Sequence, residues 1–595
     1  MKIKNNKTHE PGTYVNRIKE LGRVFDEKSF QDLYELSVGE ESDMFWADCA
    51  SELVWDQPYT SVSKLSADAR DWFVDGSVNY HRSIFTPERI NDEAIVFYTK
   101  EGVREACSYA ELEKQVKKVA YFLHSTGVRP GSTLCLATEN RRIGAIYSLA
   151  CLSLGVRFCF SYFRLPNAVL RQQIQTLLVE TLIIEQAIRP EQSPLILDDI
   201  SSLKHIFTIG PASDDLQAMV PVSTLPNIDN LELPPNTWQP YSWPAEATTL
   251  YGFTSGTTAT PKAIPLGTAR HYVVGLTTHY LFFYTERRKI LFVMDFAWGI
   301  ASIPCFFAPL LAGETVVIDE NFFVPGAPRT FKTIGLENIG SSFIPITLLE
   351  ADHSQTTGTY DFLKVILGGM KLNQQALDGC AHLFNNPKLA VYFGYGSSEL
   401  GGLGFFQIAQ NNSQVEKFEK LRPAFGVRYC IDPNPPNNVG VLKIHASLPS
   451  ICGAIYNSTG LYQDLWSSDG MWFNTDDIAI DHGQTITLVG RADHMIKVKG
   501  RFLDVNLYEQ SITEIIKRPS KLLDIATAGS AQKIVLFVEG ARKEVLINKI
   551  NEIVVEVFGT YALPHDVYFV ATMPRTVSHK ISSAELMRIY AQRTK

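Results

Sequence analysis

The chain has few of the residues that a stapled, secreted or nucleic-acid-binding protein would carry. Nine cysteines in 595 residues, at 49, 107, 135, 151, 159, 305, 380, 430 and 452, are scattered and odd in number, and no two form a C-x-x-C. That argues against a zinc ribbon or a disulfide framework. Basic excess is missing too: 55 Lys plus Arg stand against 63 Asp plus Glu, a net charge of −8. Neither nucleic acid nor an anionic lipid surface is therefore an expected partner. The N-terminal MKIKNNKTHEPGTY has no apolar h-region, so secretion is not expected and a cytoplasmic location is. No repeat at a 20–50 residue period and no low-complexity tract is visible. What is present is 45% apolar and 11% aromatic residues, ample for a sizeable core, at a length that excludes a small binding module.

One run reaches the length of a membrane span: residues 290–311 are 22 in number and nearly all apolar. The run contains Asp295 and Pro304 and follows a charged cluster at 286–289, so a buried strand, turn and helix fit it equally well. No membrane span is expected. From about Asn91 onward, strand-like segments (94–99, 132–138, 156–163) alternate with helical ones (109–126, 142–154), which predicts parallel pairing in helix-covered sheets. The stretch 190–244 holds nine prolines and reads as long surface connections. A second α/β run follows over 247–400, then short β segments over 425–490, then a compact α/β unit to the C-terminus. The expected boundaries are an N-terminal extension 1–90, a large domain 91–490 and a C-terminal domain 491–595.

Four segments carry chemistry. LYGFTSGTTATPKAI (250–264) has five hydroxyl side chains between 254 and 260, with Gly256, Pro261 and Lys262. Small hydroxyls, free backbone N–H groups and one Lys suit a polyphosphate, although no Walker A pattern can be placed on it. VYFGYGSSELGG (391–402) reads as an apolar strand ending in a Gly-rich turn with two hydroxyls and Glu399, a carboxylate suited to Mg²⁺. It misses both the dinucleotide fingerprint and the nucleophile elbow. WFNTDDIA (472–479) and LVGRADHMIKVKG (488–500) offer Asp476 or Asp477 to ribose hydroxyls and Arg491 to a phosphate. PRTVSHKI (574–581) is a basic turn after a strand. Taken singly, each reads as well as an ordinary surface turn or loop.

In this order the segments resemble the adenylate-forming superfamily of acyl-CoA synthetases, adenylation domains and luciferases. TSGTTATPKA resembles its phosphate loop, YGSSE its Tyr-Gly-x-Thr-Glu motif, NTDD its Thr-Gly-Asp motif, GRADHMIKVKG its hinge, and PRTVSHK the loop of its C-terminal catalytic lysine. DWFVDGSVNY (71–80) and the LPSICGAIYNSTGLYQDLWSSDGMWF run before Asn474 resemble the acetyl-CoA and acetoacetyl-CoA synthetase branch.

The resemblance implies an α/β fold: a large lobe of two α/β sheet subdomains plus a small β subdomain, followed by a small mobile α+β domain. It implies that a carboxylic acid and ATP give an acyl-adenylate and pyrophosphate, and that the acyl group then passes to CoA. Thr254, Ser255, Gly256, Thr257, Thr258 and Lys262 would form the phosphate loop, with Lys262 and Lys580 catalytic. Gly369, Met370 and Lys371 would line the adenine and Tyr395, next to Gly394, would stack on it. Ser397 and Ser398 would sit near the α-phosphate, Glu399 on Mg²⁺, Asp477 on the ribose, Arg491 on ribose and phosphate, and Asp493 at the hinge. Asp295, Phe296, Trp298 and Gly396 would border the acid. Acetyl-CoA synthetases carry a Trp where this chain has Gly396, so an acid larger than acetate is expected. Asp295 reads either as a partner for a substrate amine or as a structural Asp at a helix start.

Departures from the family pattern are Ala259 and Ala263 for loop glycines, Asp476 for the Gly of Thr-Gly-Asp, His494 in the hinge, His579 before the lysine, and Phe502 where the branch has an Arg. Two alternatives follow: transfer of an acyl or aminoacyl group to a carrier protein or an amine, and a nucleotide-binding homologue without ligase activity.

Overall fold

The computed structural model describes the chain except residues 1–11, 66–69, 100, 140, 163–164, 186–194, 212–215, 255–261, 299–301, 321–336, 351–360, 371, 385, 411–412, 433–437, 458–459, 463–464, 492–494, 499–500, 526–532, 575–580 and 594–595. The chain divides into two compact units, Met1–Tyr429 with Ile444–Phe473, and Cys430–Lys443 with Asn474–Lys595.

Among its described residues the first unit contains two nine-stranded sheets. In one, Val222–Thr224, His205–Thr208, Thr181–Ile184, Thr133–Ala137, Arg157–Phe160 and Leu250–Thr254 run parallel in that order. Lys262–Leu266 then pairs antiparallel with Leu250–Thr254. In the other, Ala390–Ser397, Lys364–Gly368, Ser341–Pro345, Lys289–Phe292, Thr315–Asp319 and Glu93–Tyr98 are parallel neighbours. Their continuous apolar character is that of strands covered on both faces: every residue of Thr315–Asp319, Ser341–Pro345 and Lys364–Gly368 is buried.

Local signals placed the helices. Ser108 and Glu111 form a capping box at the start of Tyr109–Ser125, and Asn373 Oδ1 accepts from Ala376 N, 2.9 Å away, at the start of Gln374–Leu383. The N-terminal helices Thr13–Arg23 and Ser42–Ala50 lie on the buried helix Ala269–Phe282. Gly22 is needed there, since a Cβ on it would stand 1.9 Å from the Tyr280 carbonyl oxygen.

The 290–311 run resolves into the strand Lys289–Phe292, a turn, and the helical pieces Ile303–Phe307 and Ala308–Leu311. Among the described residues no helix is long and apolar enough to cross a membrane. The proline-rich stretch 190–244 is more ordered than its composition predicts. His205–Thr208 and Val222–Thr224 extend the first sheet at its edge, because a strand of three or four residues leaves too little periodicity to read.

In the second unit, Asp477 to Asp481 of the strand Trp472–Asp481 pair antiparallel with Ile486–Arg491. A three-stranded sheet of Ser520–Ile525, Lys533–Glu539 and Asp566–Val570 follows. Alternate residues of its central strand serve two cores. Ile534, Leu536 and Val538 pack with Tyr508, Ile512 and Ile550, while Val535 and Phe537 pack with Leu586 and Tyr590.

Candidate active site

Parallel strands send all their C-terminal ends to one edge of a sheet, which is where open α/β folds hold ligands. In the second sheet that edge carries the predicted groups. Lys289–Phe292 leads into Asp295, Phe296 and Trp298, Lys364–Gly368 into Gly369 and Met370, and Ala390–Ser397 into Ser398 and Glu399.

Trp298 and Met370 are about half exposed, at 45% and 47%, unusual for such side chains. The Trp298 indole lies against Gly369, whose φ of +87° lets the chain turn beneath the ring. The segment that the resemblance assigns to the acid and the one it assigns to adenine thus meet at one wall. Phe296, unlike Trp298, is not exposed. It is buried, stacked on Phe160 at 4.9 Å and packed on Phe292, Phe306 and Gly144, so it supports the turn from behind.

The strand Ala390–Ser397 runs further than an apolar segment ending at a turn, because it pairs antiparallel with Gly402–Gln410 through Ser397, with a bulge between Tyr395 and Gly396. A Cβ on Gly396 would stand 2.1 Å from Gly402 O. Close backbone approach therefore demands glycine here, apart from any effect on pocket size. Tyr395, half-buried, has its ring 6.1 Å from that of Phe405. Ser397 Oγ accepts from Leu400 N at 3.3 Å, and Glu399 O accepts from Cys452 N at 2.8 Å.

Thr254 and Lys262 are cross-strand partners; Ser255, Gly256, Thr257 and Thr258, which the resemblance assigns to the phosphate loop, lie outside the described residues. The hairpin is tied to the Glu399 turn. Ser450 Oγ donates to Leu400 O at 2.6 Å, Cys452 N to Glu399 O, and Tyr456 then pairs with Ala263.

A Mg²⁺ ion fits this donor set. Glu399 is half-buried, and among the described residues its carboxylate meets no cation. No three His, Cys, Asp or Glu side chains among the described residues gather into a metal cluster. One carboxylate plus phosphate and water oxygens is the usual environment of nucleotide-bound Mg²⁺.

The remaining predicted residues belong to the second unit. Asp477 and Arg491 are register partners, with Arg491 Nη1 3.6 Å from Asp477 Oδ1 and 3.3 Å from Thr475 O. Thr475 Oγ1 donates to Leu442 O at 2.8 Å and accepts from Asp477 N at 3.1 Å. Both charges sit on strands rather than loops. Asp476 adopts φ +58°, the left-handed region that glycine prefers, at the position where the resemblance expects Gly. Lys371, Asp493 and Lys580 lie outside the described residues.

The family model of AMP-binding enzymes matches residues 86–447, and that of the acetyl-coenzyme A synthetase N-terminus matches residues 30–82. The chain belongs to the AMP-binding enzyme family. Acetyl-coenzyme A synthetase 1 of Candida albicans is 23% identical, over 98% of this chain and 93% of its own length. The acetyl-coenzyme A synthetase of Coprinopsis cinerea is 25% identical over 94% and 91%. Two solved structures share the fold. Acetoacetyl-CoA synthetase from Streptomyces lividans has a TM-score of 0.75 at 16% identity, over 97% of this chain and 93% of that one. o-Succinylbenzoate CoA synthetase from Bacillus subtilis, with its acyl-adenylate, has 0.66 at 18%, over 85% and 97%.

For an AMP-binding enzyme, Asp295 is engaged in a way its sequence context left open. Its Oδ1 accepts from Ala297 N at 2.7 Å and its carbonyl from Trp298 N at 3.0 Å, so it caps the turn that presents Trp298. It also acts electrostatically on Arg141, a residue that the sequence reading left just outside the helix at 142–154. The available signal was TENRR (138–142), a charged cluster where a strand hands over to a helix.

Proposed function

We propose that this chain is an AMP-forming acid–CoA ligase. A substrate carboxylate oxygen attacks the α-phosphorus of ATP, the bond to the bridging oxygen breaks, and pyrophosphate leaves. The CoA thiolate then attacks the acyl carbon and AMP leaves. The observation that carries this reading is the Trp298–Gly369 wall, where the segment assigned to the acid meets the segment assigned to adenine at the C-terminal edge of one sheet. Positive charge and fixed dipoles must offset the charge that builds on the pentacoordinate phosphorus. Lys262, at the base of the hairpin, and Lys580 are the groups assigned to do so. Glu399 would hold Mg²⁺, which when bound neutralises phosphate charge and orients the oxygens. Asp477 and Arg491 would hold the ribose and its phosphate.

The acid is proposed to be larger than acetate, because Gly396 replaces a Trp of acetyl-CoA synthetases. Engagement of Asp295 with its own turn and with Arg141 speaks for an acid without an amine.

Pyrophosphate release measured over a panel of acids, with ATP and Mg²⁺, tests the first half-reaction, and thioester formation on adding CoA tests the second. No release with any acid would leave only the nucleotide-binding alternative. Adenylate without thioester would move the acceptor to a carrier protein or an amine.

A further inference from the structure

Arg141 opens the helix Arg141–Leu154, which follows the strand Thr133–Ala137, and is 7% exposed. Arginine is almost never this buried unless it is paired. Its Nη1 lies 3.4 Å from Phe292 O and its Nη2 3.4 Å from Val293 O, at the carbonyl end of the strand that leads into Asp295. Four carboxylates act on it: Asp295 most strongly, then Asp319, Glu139 and Glu320. Burial lowers its pKa to about 10, which still leaves it charged at neutral pH.

Beside the guanidinium is a cavity of about 20 Å³, bounded by Gly144, Phe160, Ser161, Asp295 and Phe296. Room for one water begins at roughly 10–15 Å³. That is room for little more than a water, so the role proposed for Arg141 is to hold protein groups rather than substrate. A planar fork can grip two carbonyls while opposing a carboxylate, which a point charge cannot.

We propose that Arg141 is the positioning residue of the acid site: it clamps the end of the Lys289–Phe292 strand and neutralises Asp295, so that the turn 295–298 holds Trp298 against Gly369. The proposal rests on the ligase reading. Loss of the clamp removes a positive charge that acts on Asp295 and frees the strand end at Phe292 and Val293, six and five residues before Trp298. The acid is then mispositioned, while the nucleotide would keep its proposed contacts on other segments, at Tyr395 and on the Thr254–Lys262 hairpin. Misplacement of about 1 Å can cost up to about a hundredfold in rate.

The test is steady-state pyrophosphate release by the full chain, wild type against Arg141→Met, with acid and ATP varied separately. With an acid the wild type accepts, Arg141→Met should raise the KM for acid about tenfold and the KM for ATP less than about threefold, a split that general loosening of the fold would not produce. Equal shifts in both KM values, or none, would overturn the proposal while leaving the ligase reading intact. A wild type that releases no pyrophosphate with any acid overturns that reading and the proposal together. If Arg141→Met fails to fold by circular dichroism, Arg141→Lys carries the test. It keeps the charge and loses the fork, so the same acid-selective rise is expected at about threefold, and its absence would be equally fatal.

Discussion

Trp298 and Gly369 follow strands that are not neighbours, since Ser341–Pro345 runs between them, yet a Cβ on Gly369 would stand 3.5 Å from the Trp298 ring. That spacing is ordinary contact, so Gly369→Ala should fit sterically and fail conformationally. Holding an L-residue at φ +87° costs roughly 1–2 kcal/mol. The expected result for Gly369→Ala is about a tenfold weaker affinity for ATP in titration calorimetry, whereas Trp298→Ala, on the side assigned to the acid, should raise the KM for acid and leave ATP affinity within about threefold. Unchanged ATP binding in Gly369→Ala would remove this wall from the nucleotide site.

Asp477 should separate binding from stability. Its pair with Arg491 is 3.6 Å long and Arg491 is 44% exposed, so the pair adds at most about 1 kcal/mol to folding. A hydrogen bond from a ribose hydroxyl to the carboxylate is worth about 1.5–3 kcal/mol, more than tenfold in affinity. Asp477→Asn should therefore raise the KM for ATP at least tenfold with Tm almost unchanged. A Tm drop without a kinetic effect would make the residue structural.

Lys580 is expected to serve the first half-reaction alone. Lys580→Ala should abolish adenylate formation, read as acyl-hydroxamate with hydroxylamine, and leave thioester formation from a supplied adenylate intact. Equal loss of both steps would refute that division.

The buried Lys364 makes stability depend on pH. Burial lowers its pKa to about 7, against the partial opposing effect of Glu314 and Glu286, and its Nζ has a carbonyl, Leu281 O, at 3.4 Å. Between about pH 7 and 10.4 the unfolded chain holds a proton there that the folded chain does not, so this residue's contribution to stability rises with pH by up to ~1.4 kcal/mol per unit. Below pH 7 both states are protonated and the slope vanishes. Lys364→Met should flatten the dependence over pH 7–8.5 relative to wild type in parallel thermal melts. Parallel curves would mean the amine is not desolvated as described.

The sequence by itself determined the elements and the chemistry of the segments. Strands such as 94–99 and 132–138 are legible because burial on both faces demands an unbroken apolar run, and Tyr109–Ser125 because Ser108 and Glu111 announce its start. The segment TSGTTATPKA, the YGSSE turn and the NTDD segment could be singled out as candidates because each depends on residue types at fixed local spacing. Asp476 takes φ +58° at the position where the resemblance expects Gly. Tertiary structure decided what the chain brings together from afar. Trp298 meets Gly369, Cys452 fastens Glu399, and Arg141 grips a strand end 151 residues away. None of these follows from local pattern, because each depends on which strands become neighbours and where their C-terminal ends emerge. Gly396 shows the difference at one residue. As a letter it is only a missing side chain; in the fold, the Gly402 carbonyl 2.1 Å from where a Cβ would stand is the reason that none can be there.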